Sequence, residues 1–147
     1  MDEPGVRALQ RKTAAAAVIL LIAAFSTGIL LGAAMSGKID ADVHEIVAAH
    51  LNAFLGCLWI LGLAFTLPML RYGAAGRRRL VYLTVLPAYA NWIVTTIKSF
   101  IHVAGVAPGH DRANDAVFVA LSVLVVLPSF AAAIGWAYGL LGARSNE

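Results

Sequence analysis

Residues 46–79 read IVAAHLNAFLGCLWILGLAFTLPMLRYGAAGRRR. No charged side chain falls between Ile46 and Leu70, and four arginines (Arg71, Arg77, Arg78 and Arg79) follow at once. The uncharged run exceeds the ~20 residues that carry a helix across a hydrocarbon core. A single segment can span lipid only as a helix, because every backbone N–H and C=O must then be satisfied from within. The arginines behind it mark a loop retained on the cytoplasmic side of a membrane.

Three more such runs lie on either side: Thr13 to Met35, Leu80 to about Gly105, and Ala116 to Leu141. With the span already quoted they predict an all-α integral membrane bundle of four helices. The 147 residues hold one transmembrane domain, 1–147, with helices at about 13–35, 43–70, 80–105 and 116–141. Arg7, Arg11 and Lys12 precede the first run as in a signal peptide, but the run is too long and Met35 offers no small-residue cleavage site, so it reads as retained. Charged residues make up 13% of the chain and hydrophobic ones 61%, against ~25% charged in soluble domains. The net charge of +3 resides in the short connections, which excludes a nucleic-acid-binding stripe. Cys57 is the single cysteine, so neither a disulfide within the chain nor a thiolate metal cluster is available.

Orientation follows from the loops. Basic residues precede the first span, join the second to the third, and follow the fourth at Arg144. The other two loops carry Lys38 and Arg112 among Asp40, Asp42, Glu45, Asp111 and Asp115. Both termini are expected in the cytoplasm, in a multi-pass protein of a prokaryotic inner membrane. Short connections favour an up-down-up-down order. Gly28, Gly32 and Ser36, and again Gly135 and Gly139, form small-residue faces that suit close helix packing within the protomer. Four helices enclose little interior, so an oligomer is expected.

Polar side chains inside the spans are the pointers to function, because lipid tolerates them only where they are partnered. In the third span Asn91, Thr95, Lys98 and His102 fall on one narrow helical stripe, which Thr84 extends toward the arginine loop. His102 and Lys98 sit near the outer interface, where long polar side chains also snorkel. In the second span His50 and Asn52 lie about two turns inside. His50 shares its face with Ala53, Cys57, Ala64 and Pro68, small side chains that leave room for a flat, bulky group. The loop lengths put His50 level with roughly Thr95 to His102 at ~1.5 Å per residue. An imidazole, an ammonium and hydroxyls are thus expected in the outer half of the bundle, the ammonium free to neutralise a carboxylate such as Glu45.

Ala49-His50-Leu51, the helix ending Ala64-Phe65-Thr66-Leu67-Pro68, and Tyr89-Ala90-Asn91-Trp92-Ile93-Val94-Thr95 resemble the hydroxylaminobenzene mutases. These are small four-helix membrane enzymes that rearrange aryl hydroxylamines to aminophenols. The same frame is similar to that of the styrene oxide isomerases, trimeric haem b proteins whose second-helix histidine ligates iron. The motifs cover the second and third spans; the first and fourth agree only in length and hydropathy. The resemblance implies a haem b (iron) cofactor with His50 as metal ligand. Asn52, Lys98 and His102 would serve cofactor binding, and Asn91, Thr95, Lys98 and Tyr89 would be catalytic. It also implies a homotrimer and a small aromatic substrate that enters from the lipid bilayer.

Departures are visible. Gly56-Cys57 stands where both families have Asn-Gly, and Asn52 where the mutases tend to have Glu. Thr95 and Pro87 replace a tyrosine and an aspartate of the epoxide isomerases. The match to Tyr89-Ala90-Asn91-Trp92 points to the mutase branch, with iron acting as a Lewis acid and no redox cofactor. Three other readings stay open: an aryl epoxide isomerase, a non-enzymatic cytochrome with His50 and His102 as axial ligands, and a structural or transport protein without cofactor.

Overall fold

The computed structural model describes residues 3–109 and 111–141; Arg144, one of the orientation signals, lies outside them. Among the described residues the secondary structure is helical throughout: α1 (Glu3–Met35), α2 (Val43–Thr66), α3 (Ala74–Ile101) and α4 (Arg112–Leu141). Each is long and apolar enough to cross a membrane, and together they form the expected four-helix membrane bundle. A short 3-10 turn, Leu67–Met69, closes α2 before the arginine loop.

Two helices outrun their apolar stretches. α1 begins at Glu3, because Arg7, Arg11 and Lys12 interrupt hydropathy but are good helix formers. α3 begins at Ala74, ahead of the arginines, for the same reason. At its other end α3 stops at Ile101, short of Gly105, where His102 takes a left-handed conformation with φ 53°. Asp42 caps α2 by accepting from the Glu45 N–H, and Asp111 caps α4 by accepting from the Ala113 N–H.

α2 is the central helix, packed on α1 along one side and α3 along the other. Ala17, Leu20 and Ala24 of α1 meet Ala53, Cys57 and Ile60 of α2 and Ala88 of α3 in one buried cluster. Gly56 makes that approach possible: a Cβ there would lie 2.9 Å from Leu20 Cδ2 and 3.1 Å from Ala88 Cβ. The backbone N–H of Asp42 donates to the Ser99 carbonyl at 2.9 Å, which sets the antiparallel register of α2 against α3.

α4 packs on α3 and on the arginine loop. Gly135 and Gly139 receive Tyr72, whose hydroxyl donates to the Gly135 carbonyl at 2.7 Å. Arg71 donates its backbone N–H to Gly139 O and lays its guanidinium 3.4 Å over the Tyr138 ring. The small faces at Gly28, Gly135 and Gly139 thus serve packing within the protomer, while Gly32 meets nothing. Midway, Leu121–Val126 widens into a π turn, with the Leu127 N–H reaching back to Ser122 O. Pro128 accounts for this: it has no N–H, and its ring would crowd the Leu124 carbonyl of a regular helix.

Candidate functional site

His50 stands in the groove between α2 and α1. Its Nδ1 lies 2.8 Å from the Ala24 carbonyl oxygen, so Nδ1–H donates and the neutral form of the ring carries its lone pair on Nε2. Phe54 meets the imidazole edge to face at 4.9 Å, and Phe25 meets Phe54 edge to face in turn at 5.5 Å. Gly28 lies directly beneath the ring, where a Cβ would come within 3.0 Å of Cε1. Nε2 has no protein partner among the described residues and is not among the buried unpaired atoms, so it opens toward the protomer surface. Ala53, Cys57 and Ala64, read from sequence as clearing space before the imidazole, are instead buried in the packed core. The room for the His50 ring itself is made by Gly28 on the neighbouring helix.

Asn52, Asn91 and Thr95 form one cluster across the α2–α3 interface. Asn52 Nδ2 donates to Asn91 Oδ1 at 3.2 Å and to Thr95 Oγ1 at 3.3 Å. The Thr95 hydroxyl donates to the same Asn91 oxygen at 3.3 Å. The Asn91 amide N–H groups have no partner among the described residues and are left to donate elsewhere. The cluster contains no titratable group, so it can hold and polarise a substrate oxygen but cannot act as general acid or base.

These two sets face different grooves. Side chains two residues apart on a helix project about 200° from one another, and His50 accordingly contacts α1 while Asn52 contacts α3. The Asp42–Ser99 bond also corrects the depth alignment, placing His50 level with about Asn91. His102 then lies eleven residues, or about 16 Å of helix, toward the outer end. There it is half-exposed and sits 3.4 Å from the fully exposed Asp40. The structure does not bring it to His50 within one protomer.

Lys98 is buried and engaged at the outer end of the bundle. Its ammonium lies 2.7 Å from Glu45 Oε2 and donates to the Ala104 carbonyl at 2.9 Å, clamping the α3–α4 loop onto the start of α2. Tyr89 and Trp92 point away from the cluster toward α1. The Tyr89 hydroxyl donates to Ala16 O at 2.7 Å, and Trp92 Nε1 donates to Thr27 Oγ1 at 2.9 Å. Thr84 returns its hydroxyl to Leu80 O on its own helix. Sequence reasoning missed Gly28 and Ala24 as supports of the imidazole; the one available signal was the small-residue repeat on α1.

A four-helix membrane-spanning bundle that carries an imidazole open at Nε2 and an amide–hydroxyl cluster within its spans defines a multi-pass membrane protein with polar groups inside the bundle. A family comparison matches residues 9–141 to styrene oxide isomerase. The chain belongs to that family, which makes it a membrane isomerase at the level the family defines. The match runs through all four helices, including the first and fourth, where the motifs were silent. No curated protein and no solved structure matches the chain.

Proposed function

We propose that the protein is a haem b-dependent isomerase of small aromatic, oxygen-bearing molecules, assembled as a homotrimer in the inner membrane with both termini cytoplasmic. The observation that carries this reading is the bond from His50 Nδ1–H to Ala24 O, which fixes the tautomer and presents Nε2 as a ligand. Among the described residues no three His, Cys, Asp or Glu side chains stand together to hold a bare metal ion. A metal at His50 therefore has to bring most of its own ligands, which a macrocycle does. Gly28 lets the imidazole lie against α1, where a Cβ would crowd Cε1, and so supports the bond that leaves Nε2 free. When bound, haem with a single protein ligand supplies an open coordination position with Lewis-acid character toward oxygen.

The chain's own part is to orient the substrate and exclude water. Asn91 donates its free amide N–H to the substrate oxygen as the bond to that oxygen lengthens, and Asn52 and Thr95 hold the Asn91 amide in place. Because His50 and this cluster face different grooves, a complete site takes His50 from one copy and the cluster from the next, which supports a ring of copies over a monomer.

Family membership favours opening of an aryl epoxide to an aldehyde. The mutase-like Tyr89-Ala90-Asn91-Trp92 motif speaks less strongly for hydroxylamines than it did from sequence, because its Tyr and Trp tie α3 to α1. Rearrangement of an aryl hydroxylamine to an aminophenol is the second reading, favoured by Thr95 and Pro87, which replace the tyrosine and aspartate expected of the epoxide isomerases. Both reactions are redox-neutral. Haem-loaded protein given styrene oxide and phenylhydroxylamine separately, without nicotinamide or flavin, decides between them by product. Faster turnover of the epoxide supports the first reading, faster turnover of the hydroxylamine the second, and inertness toward both removes the activity.

A further inference from the structure

We propose that the arginine end of the bundle carries a binding site for one anionic phospholipid per protomer, held at its headgroup by Lys12 and Arg78. This does not rest on the isomerase reading. A groove of about 570 Å³ opens between α1 and α3, walled by small side chains of α1, Ala8 and Ala16 among them, and by Val81 and Val85 of α3. Lys12 and Arg78 stand on its two sides. Both are exposed, and neither makes an ion pair or hydrogen bond among the described residues. Other arginines of this end are used by the fold: Arg71 lies over Tyr138, and Arg77 donates to the Leu70 carbonyl. Lys12 and Arg78 lie one and two residues before the apolar spans that start at Thr13 and Leu80, which sets them at headgroup level.

A second groove of about 610 Å³, apolar along its length, runs between α3 and α4 down to Val94 and Leu124. The two grooves adjoin at Tyr82 and Val85, which line both. From Arg78 to Val94 is sixteen residues, or about 24 Å of helix, deeper than one leaflet of a hydrocarbon core about 30 Å thick. A forked apolar groove with two unpaired cations at its head is complementary to a phosphate bearing two acyl chains. Tyr82, exposed and one turn below Arg78, stands between the chains with its amphipathic ring at the interface. A zwitterionic lipid fills the same grooves but gains little from the cations, so the site selects for net negative charge.

Native mass spectrometry of the delipidated full-length protein, supplied with palmitoyl-oleoyl phosphatidylglycerol or phosphatidylcholine, tests this. One phosphatidylglycerol per protomer should survive activation that strips phosphatidylcholine. Lys12→Gln with Arg78→Gln should lower its occupancy on the order of tenfold, while Arg11→Gln with Arg79→Gln, equally basic, exposed and outside the grooves, should leave it unchanged. Ala8→Phe, which fills the first groove with the charges intact, should also displace the lipid. Equal retention of the two lipids overturns the proposal, as does equal loss in both double variants. So does disulfide cross-linking of Tyr82→Cys to a second copy with lipid excluded.

Discussion

His50 Nδ1 stands 2.8 Å from the carbonyl oxygen of Ala24, so α1, not the helix that bears the histidine, decides which ring nitrogen is left to bind. Removing the ligand and removing its support should differ in degree. His50→Ala should abolish haem retention in a folded protein. Gly28→Val sets side-chain atoms where even a Cβ lies 3.0 Å from Cε1, and should weaken haem about tenfold, as outer-shell substitutions do at metal sites. His102→Ala, out at Asp40, should keep haem. The ratio of Soret to protein absorbance reads all three; loss in His102→Ala with retention in His50→Ala reverses the ligand assignment.

The Asn52–Asn91–Thr95 cluster should affect rate and leave haem content alone. Asn91→Ala removes the free donor and should cost ~2–4 kcal/mol of transition-state stabilisation, about 30- to 1,000-fold in kcat/KM. Asn52→Ala takes away a partner that holds Asn91 and should cost less. The double variant should fall short of the product of the two effects, because both act through one amide. Full multiplicativity would separate Asn52 from the Asn91 function.

The spans were legible because hydropathy and charge act locally: an uncharged run such as Ile46 to Leu70 has few options but lipid. Which face of each helix meets which neighbour was not. Ala53 and Cys57 looked like free space on the His50 face, yet small side chains are what let helices close up, and α1 fills that side. The pairing of Asn52 with Asn91 and Thr95 depends on the register set by the Asp42–Ser99 bond, a long-range contact that no local pattern encodes. The polar residue types of the candidate site could be read from the sequence; the placing of His50 and the Asn52–Asn91–Thr95 cluster in two different grooves could not.

Lys98 should matter for stability first. Its ammonium is buried against Glu45 at 2.7 Å and also clamps the Ala104 carbonyl. Lys98→Met leaves Glu45 without its partner and should destabilise by about 3 kcal/mol. Adding Glu45→Gln to that variant should recover part of the loss, since the orphaned charge is then gone. Thermal unfolding in detergent measures both. A double variant no better than Lys98→Met would show that the loop clamp, not the ion pair, carries the energy.

Topology can be tested independently of activity. A reporter that functions only in the cytoplasm, fused after Arg144, should be active, and one inserted at Gly109 should be silent. The expectation rests on Arg71, Arg77, Arg78 and Arg79 at one end of the bundle and the acidic loops at the other. Neutralising all four arginines should give mixed orientation.

The division of the site between grooves yields the sharpest test of assembly. If His50 of one copy works with Asn91 of its neighbour, two inactive variants should complement each other when co-expressed. An oligomer mixing His50→Ala with Asn91→Ala contains boundaries where an intact His50 meets an intact Asn91. In a closed ring with random assortment at equal amounts, about a quarter of neighbouring pairs are of that kind, so activity should return to about a quarter of the unsubstituted level. Haem content in the mixture should stay near half, because only the copies that retain His50 bind it. A site contained in one protomer gives no recovery at any mixing ratio, since every copy then lacks one of the two residues. Native mass spectrometry of the same sample supplies the stoichiometry, and a haem-bearing monomer would remove the trimer. Recovery of activity in a dimer would keep the shared site and change only the size of the ring.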